Sequence, residues 1–122
     1  MAGVRRFQDL IAWQRGIALC KEVYRITARF PDSERFGLVS QMRRAAVSIP
    51  SNLAEGFGRE STPDMLRFFR TSRGSLFELQ TQLILAVELG FAVGDDQLSE
   101  LTAETDRLIQ ALIRSIETRQ ST

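Results

Sequence analysis

The chain of 122 residues has no histidine and a single cysteine, Cys20. Histidine is the commonest general base and metal ligand, so its absence argues against acid–base catalysis and against a zinc site. The serines have no imidazole partner, and a zinc ion would need carboxylates alone. We therefore expect no enzyme activity, no cofactor and no metal ion. One cysteine excludes an internal disulfide, which favours a reducing, cytoplasmic location.

Long apolar runs are missing as well. No stretch approaches the roughly 18 unbroken apolar residues of a membrane span, and no apolar run follows the N-terminal arginines as it would in a signal peptide. We therefore expect no membrane association. With 8 glycines and 3 prolines, the chain has too few of either for a disordered protein. Its length fits one domain, residues 1–122.

Positive charge is concentrated in the first part of the chain. Residues 1–73 hold 13 basic and 7 acidic side chains, whereas residues 74–122 hold 3 basic and 8 acidic ones. Of the 16 basic residues, all but Lys21 are arginines. Arginine presents a planar fork of donors that matches phosphate or carboxylate. The chain is thus expected to offer a basic and an acidic surface.

Apolar residues recur at steps of three and four through four segments. This spacing predicts an all-α protein, an antiparallel up-down-up-down four-helix bundle. The helices are expected at about residues 9–29, 36–57, 63–89 and 96–117.

Cap residues and one proline bear on where the first two helices begin and whether the second is continuous. Asp9 is expected to cap the first helix, and Asp32 or Ser33 to begin the second. Pro50 lies inside the second helix, where it removes one backbone hydrogen bond and clashes with the Ala46 carbonyl. Because the apolar spacing continues through Pro50, we predict one kinked helix in place of two short ones.

The first and third helices carry more apolar residues than one core needs. Each has a second apolar stripe beside its main one, whereas a surface helix in a monomer needs a single stripe. This surplus predicts that copies of the chain associate. In the first helix one stripe is Leu10, Trp13, Ile17, Cys20, Tyr24 and Thr27, and the other is Ala12, Leu19, Val23, Ile26 and Phe30. In the third helix the flanking stripe is Leu66, Phe77 and Ile84.

Polar residues of the second helix fall in one band beside its apolar side. They are Gln41, Arg44, Ser48, Asn52, Glu55 and Arg59. One interpretation is a recognition stripe that presents Arg44 and Arg59 to phosphate or carboxylate. The other is a hydrogen-bonded network that holds the kink, with Ser48, Ser51 and Asn52 serving the backbone groups freed there.

Further arginines recur every three residues in the third helix. Arg67, Arg70 and Arg73, together with Arg43, Arg44 and Arg59, form either a basic patch for nucleic acid or an ordinary solvated face. In the same helix, Gly74 suggests the close approach of another helix, because an interior glycine costs about 1 kcal/mol against alanine. Glu78 is either solvated or paired across a subunit boundary with an arginine of the second helix.

Several motifs, in order, resemble one family. They are Phe7 to Gln14, Phe30 to Leu38, the segment Ser40 to Gly56, and Gly74-Ser75 with Glu78-Leu79. These residues resemble the four-helix-bundle proteins encoded in intervening sequences of bacterial 23S ribosomal RNA genes. The similarity runs from about Phe7 to Ile116.

The resemblance implies a closed bundle that forms a homopentamer with a central opening. It also implies kinship with the accessory protein of diversity-generating retroelements, which associates with nucleic acid and a reverse transcriptase. Our first hypothesis is an oligomeric protein that binds RNA or DNA through its arginines, with a preference for RNA. The alternative is an oligomeric scaffold that binds a protein partner and has no nucleic-acid role.

Overall fold

Four α-helices and two short 3-10 helices make up the computed structural model, which describes residue 1 and residues 3–121. In chain order the α-helices are α1 Ile11–Thr27, α2 Leu38–Phe57, α3 Thr62–Glu88 and α4 Asp96–Ser121. No strand occurs in this part of the chain, and none of its helices is long and apolar enough to cross a membrane. The predicted all-α fold is confirmed, with each helix end within four residues of its expected place.

The helices pack side by side around one centre. α2 packs against α1 and α3, and α4 packs against α3 and α1. Within the described residues, no such contact joins the diagonal pairs α1–α3 and α2–α4. Because the connections are short, consecutive helices run antiparallel. Side chains from all four helices fill the core, among them the fully buried Leu19, Met42, Phe69 and Ile109.

The first helix begins later than predicted, because Asp9 does not cap it. Residues Phe7–Asp9 form a 3-10 helix, in which the Asp9 carboxylate accepts the backbone N–H groups of Arg5 and Arg6 at 3.1 and 3.3 Å. The helix then starts after an extended Leu10, which gives no side-chain cap. The prediction that Asp9 caps α1 is wrong, since its carboxylate serves the preceding turn.

The second helix also begins later than predicted. Asp32 and Ser33 form a separate 3-10 helix with Glu34, and α2 follows after Gly37. The Glu34 carboxylate accepts the backbone N–H of Leu38 at 3.3 Å. The prediction that Asp32 or Ser33 begins α2 is therefore wrong. Glu34, four residues ahead, satisfies one of the unpaired donors of the first turn.

One continuous helix passes through Pro50. This confirms the prediction of a single second helix over two short ones. Gly16 of α1 is buried against the proline ring, where a Cβ atom would lie 3.4 Å from Pro50 Cβ and Cδ. The missing side chain thus lets α1 rest directly on the proline.

The third helix has well-defined ends. Its N-cap is Ser61, whose Oγ accepts the backbone N–H of Asp64 at 3.2 Å. Its C-terminal end turns at Gly90, which has a φ of +78° in the left-handed region that favours glycine. The backbone N–H of Phe91 then donates to the Ala86 carbonyl at 2.9 Å, which is the Schellman pattern.

Helices α1 and α3 leave apolar side chains outside the core. Ile17 and Tyr24 of α1 are 36% and 45% exposed, and Phe77 and Ile84 of α3 are 45% and 66% exposed. These residues belong to the surplus stripes that the sequence pattern indicated. Since α1 and α3 are a diagonal pair, the two groups point away from the core on opposite sides of the bundle.

Candidate nucleic-acid interface

The six arginines proposed from the sequence as a basic patch lie in three places. The first pair, Arg43 and Arg44, lies near the start of α2. The second pair, Arg59 and Arg67, flanks the α2–α3 connection. The third pair, Arg70 and Arg73, faces α4. The α2 helix alone separates Arg44 from Arg59 by roughly 20 Å at 1.5 Å per residue. The structure therefore does not bring the six together in one patch.

The pair that faces α4 joins two helices. Arg70 Nη2 lies 2.9 Å from Glu117 Oε2, and Arg73 Nε lies 2.8 Å from Asp106 Oδ1. The Arg73 and Asp106 side chains are only 34% and 20% exposed. These two arginines therefore each face a carboxylate of α4, and the half-buried pair of Arg73 with Asp106 links α3 to α4.

The pair at the α2–α3 connection shares one aromatic ring. The guanidinium carbons of Arg59 and Arg67 lie 4.6 and 4.5 Å from the centre of the Phe68 ring. The Nη2 atom of each arginine also lies 3.8 Å from a carboxylate oxygen, that of Glu55 for Arg59 and that of Asp64 for Arg67. Exposed ion pairs of this kind contribute little to stability, about 0 to 1 kcal/mol. Both arginines are therefore able to exchange the carboxylate for a phosphate.

Arg43 and Arg44, near the start of α2, line a shallow groove of about 500 Å³ between α2 and Tyr24 of α1. We call it the arginine groove, and its lining residues are Tyr24, Arg35, Phe36, Val39, Ser40, Arg43, Arg44 and Val47. Three of these residues are arginines and none is acidic. The lining of the groove therefore carries a net positive charge.

Arg43 and Arg44 differ in how firmly they are held. Arg43 donates to Thr27 Oγ1 at 2.9 Å and to the Tyr24 carbonyl at 3.3 Å, and its guanidinium carbon lies 4.5 Å from the centre of the Tyr24 ring. The adjacent Arg44 is exposed and has no hydrogen bond or ion pair with any described residue. Arg43 is a fixed charge, whereas Arg44 is available to a ligand.

Arg35 and Phe36 of the groove were not among the site residues predicted from the sequence. The Phe36 side chain is 89% exposed, and the Arg35 guanidinium carbon lies 5.5 Å from the centre of its ring. Phe36 was predicted as the first residue of the second helix, but it lies in the connection before Gly37. A basic–aromatic pair directly before a glycine was the signal available in the sequence.

The polar stripe of α2 divides into a half-buried middle and exposed ends. Ser48 Oγ shares a hydrogen bond of 2.7 Å with Ser75 Oγ of α3. The Asn52 amide donates to the Ser48 carbonyl at 2.8 Å and to Ser48 Oγ at 2.9 Å. The middle thus ties α2 to α3. The exposed members are Gln41, Arg44, Glu55 and Arg59.

An apolar strip runs along the solvent side of α3. We call it the outer stripe of α3, and its residues are Gly74, Phe77, Glu78, Ile84 and Leu85. A Cβ atom at Gly74 would meet nothing within 4 Å. The prediction that another helix approaches Gly74 is therefore wrong for the helices of this chain. Glu78 is exposed and has no partner among the described residues, so its pairing across a subunit boundary stays a prediction.

A second groove, of about 460 Å³, lies beside the α3–α4 connection. Its lining is mostly apolar and includes Ile26, Leu83 and Phe91. Two arginines and two carboxylates also line it, so their charges balance; they are Arg25, Arg29, Glu88 and Asp95. Of these two grooves, only the arginine groove therefore has a net positive lining.

Comparison with known proteins assigns the family. The model of the 23S rRNA-intervening sequence proteins matches residues 8–114. The chain belongs to this family. No curated protein matches it. A solved structure of a protein with unknown function, from the S23 ribosomal protein family of Bacteroides thetaiotaomicron, is similar with a TM-score of 0.74 and 15% identity over 85% of this chain and 96% of that one.

The two comparisons bear on different questions. At 15% identity, the solved structure supports the fold of this intervening sequence protein and no more. The family match confirms the resemblance predicted from the sequence motifs. The matched residues include the arginine groove and the outer stripe of α3, so both surfaces lie within the family's shared region.

Proposed function

We propose that this intervening sequence protein is a non-enzymatic helical bundle that assembles with copies of itself and associates with nucleic acid. The outer stripe of α3 supports the assembly. Phe77, Ile84 and Leu85 leave 45%, 66% and 46% of their side chains exposed on one side of a single helix. Large apolar side chains exposed together on one helix face are a feature of interaction sites. We propose that a second copy of the chain covers the stripe.

Gly74 and Glu78 support a copy of this chain as the occupant. An interior glycine destabilises a helix by about 1 kcal/mol against alanine, and the open space at Gly74 gives no reason for it within the chain. A helix of a neighbouring copy that passes close to Gly74 supplies that reason. Glu78 offers such a neighbour a carboxylate, and the basic part of the chain, with 13 basic and 7 acidic side chains in residues 1–73, offers an excess of positive charge in return.

The placement of the apolar surplus favours a ring. A ring joins two unlike faces on every copy, whereas a two-fold dimer joins one face to itself. The exposed Ile17 of α1 and the outer stripe of α3 lie on opposite sides of the bundle, as a head-to-tail contact requires. We propose the closed ring of five that the family resemblance implies.

Light scattering on a sizing column tests the assembly. The wild type is expected to elute with the mass of several copies, and the double variant Phe77→Ser with Ile84→Ser at a smaller mass. Val93→Ser removes an apolar side chain that is 90% exposed in the α3–α4 connection, outside the outer stripe of α3, and should leave the mass unchanged. A wild type that stays monomeric and well folded when dilute would overturn the proposed assembly.

The proposed association with nucleic acid is supported by the arginine groove, because three arginines converge there with no carboxylate among the lining residues. The exchangeable ion pairs of Arg59 and Arg67 add a second basic area at the other end of α2. We propose that the ligand is RNA and that the protein acts in the cytoplasm. The non-enzymatic role is supported by the absence of histidine and by serines that hydrogen-bond to protein groups.

Binding of a labelled RNA at increasing salt tests this association. Affinity should fall steeply, because each neutralised phosphate releases counterions. The double variant Arg44→Ala with Arg59→Ala should bind more weakly and keep its helical circular dichroism. A flat salt response would contradict the association, and a double variant that unfolds would show that these arginines are structural.

The alternative function is an oligomeric scaffold for another protein. It is supported by the acidic second part of the chain, which holds 8 acidic and 3 basic side chains in residues 74–122. If the wild type assembles but binds no RNA even at low salt, the scaffold becomes the better proposal. Recovery of one defined protein partner after nuclease treatment, lost when α4 carboxylates are neutralised, would then support it.

A further inference from the structure

We infer that the arginine groove is a stacking site for an unpaired base of a single-stranded nucleic acid. Phe36 provides the stacking platform, and Arg44 provides the contact to the neighbouring phosphate. This inference rests on the proposed association with nucleic acid, and it names the form of the ligand and the residues that hold it.

Phe36 has the properties of a platform. Its side chain is 89% exposed in the connection before α2, so it contributes almost nothing to the core. Arg35 lies over the ring at 5.5 Å, a cation–π distance. Exposed aromatic side chains beside arginines are the usual means by which proteins bind unpaired bases.

The two arginines of α2 have separate tasks. Arg43 is immobilised by Thr27 and by the carbonyl and ring of Tyr24, so it gives the groove a positive charge in a fixed position. Arg44 has no such restraint within the described chain. Its guanidinium is therefore able to turn toward a phosphate without breaking an existing interaction.

Two carboxylates near these arginines in the sequence are bound to groups outside the groove. The Glu34 carboxylate accepts the backbone N–H of Leu38, and the Glu22 carboxylate pairs with Arg25 at 2.6 Å. Neither residue lines the groove. A ligand in the groove therefore contacts three arginines and no carboxylate among the lining residues.

Aromatic surface distinguishes a single strand from a duplex. In a duplex both faces of a base are covered by neighbouring bases, whereas an unpaired base offers its face to an aromatic ring. Arginines alone would bind either form, because both carry phosphates. The exposed Phe36 ring therefore favours the single strand.

The test compares four variants with the wild type in fluorescence anisotropy, using a labelled oligouridylate and an RNA duplex of the same length. Phe36→Ser and Arg44→Gln alter the groove. Val93→Ser is the matched control for Phe36, because Val93 is 90% exposed in another connection. Arg114→Gln is the control for Arg44, because it removes an exposed arginine from α4.

The two groove variants are expected to fail in different ways. Phe36→Ser should weaken oligouridylate binding at least about fivefold, with little change in the slope of log affinity against log salt. Arg44→Gln should reduce that slope by about 0.7, the value for one phosphate contact on a single strand. The two controls should bind like the wild type, and the duplex should be insensitive to Phe36→Ser.

The other outcomes overturn one proposal or both. If the wild type binds oligouridylate and both groove variants bind equally well, the stacking site is wrong, while the association continues through other arginines. If the wild type binds neither RNA, the association itself fails. If polyglutamate competes as well as RNA and Phe36→Ser has no effect, the groove takes acidic peptides. Unchanged urea midpoints of both groove variants would exclude a loss of fold as the cause.

Discussion

The thiol of Cys20 donates a hydrogen bond to the Ala46 carbonyl, with Sγ and O 3.0 Å apart. In an uninterrupted helix this carbonyl would accept the N–H of the residue four positions later, but that residue is Pro50, which has none. The contact of Gly16 with Pro50, one turn away on α1, brings Cys20 into position. A cysteine of one helix thus compensates for a proline in the next.

We expect Cys20→Val to destabilise the bundle by about 1 to 2 kcal/mol. The substitution keeps an apolar side chain of similar size but leaves the Ala46 carbonyl without a partner. Cys20→Ser retains a donor and should lose less. Urea unfolding measures both free energies, and equal losses in the two variants would mean that the hydrogen bond contributes nothing.

Stability should fall at alkaline pH through the same thiol. Burial raises the pKa of Cys20 from 9.0 to about 11 in the folded chain. The unfolded chain therefore loses this proton first as the pH rises, and the folded state is progressively disfavoured between about pH 9 and pH 11. Below pH 9 the contribution is complete.

Urea midpoints of the wild type and Cys20→Ser on either side of that interval isolate this effect. All other ionisable groups are the same in both proteins, so only the difference between them reports on the thiol. The wild type should lose more stability than Cys20→Ser on going from pH 9 to pH 11. Parallel declines would contradict the proposed role of the thiol.

Gly56→Ala should destabilise the chain by about 1 to 3 kcal/mol, the usual cost of overpacking. A Cβ atom at Gly56 would lie 2.8 Å from two ring atoms of Phe69 and 3.0 Å from Phe68 Cβ. The Phe69 ring is fully buried in the core. This cost should exceed the gain in helix propensity, which is at most about 1 kcal/mol.

Gly74→Ala is the matched control, because the same substitution occurs inside a helix with open space around it. It should raise the free energy of unfolding of the separated chain by up to about 1 kcal/mol. If a neighbouring copy packs on Gly74, it should also lower the mass in solution. Equal losses for the two glycine variants would show that close packing at Gly56 is not the cause.

The two parts of the polar stripe should respond differently to substitution. Asn52→Ala removes a donor that bridges the Ser48 carbonyl and hydroxyl in a half-buried position, so we expect a loss of about 1 to 3 kcal/mol. Arg44→Ala removes an exposed side chain without a described partner and should change the stability by less than about 0.5 kcal/mol.

The corresponding measurement is the urea midpoint of each variant, together with its affinity for RNA. We expect Asn52→Ala to lose stability and Arg44→Ala to lose affinity for RNA. A large loss of stability in Arg44→Ala would mean that the exposed residues of the stripe also have a structural role. A small loss in Asn52→Ala would mean that its hydrogen bonds are replaced by water.

Much of the candidate site could not be predicted from the sequence, for two reasons. The six proposed arginines share a residue type and a helical spacing, but spacing within one helix says nothing about the carboxylates of another. Arg70 and Arg73 are matched by Glu117 and Asp106, 47 and 33 residues away. Phe36 was missed because the turn at Asp32–Glu34 delays the helix beyond it.

The sequence by itself determined the four helices, their order and the surplus of apolar residues on α1 and α3, because these depend on local spacing and on residue type. Only the tertiary structure decided which arginines have no carboxylate partner and which glycines pack against a neighbouring side chain. It also decided which group donates a hydrogen bond to the Ala46 carbonyl beside Pro50. These outcomes depend on distances between residues far apart in the chain. Such distances exist only after the helices have packed.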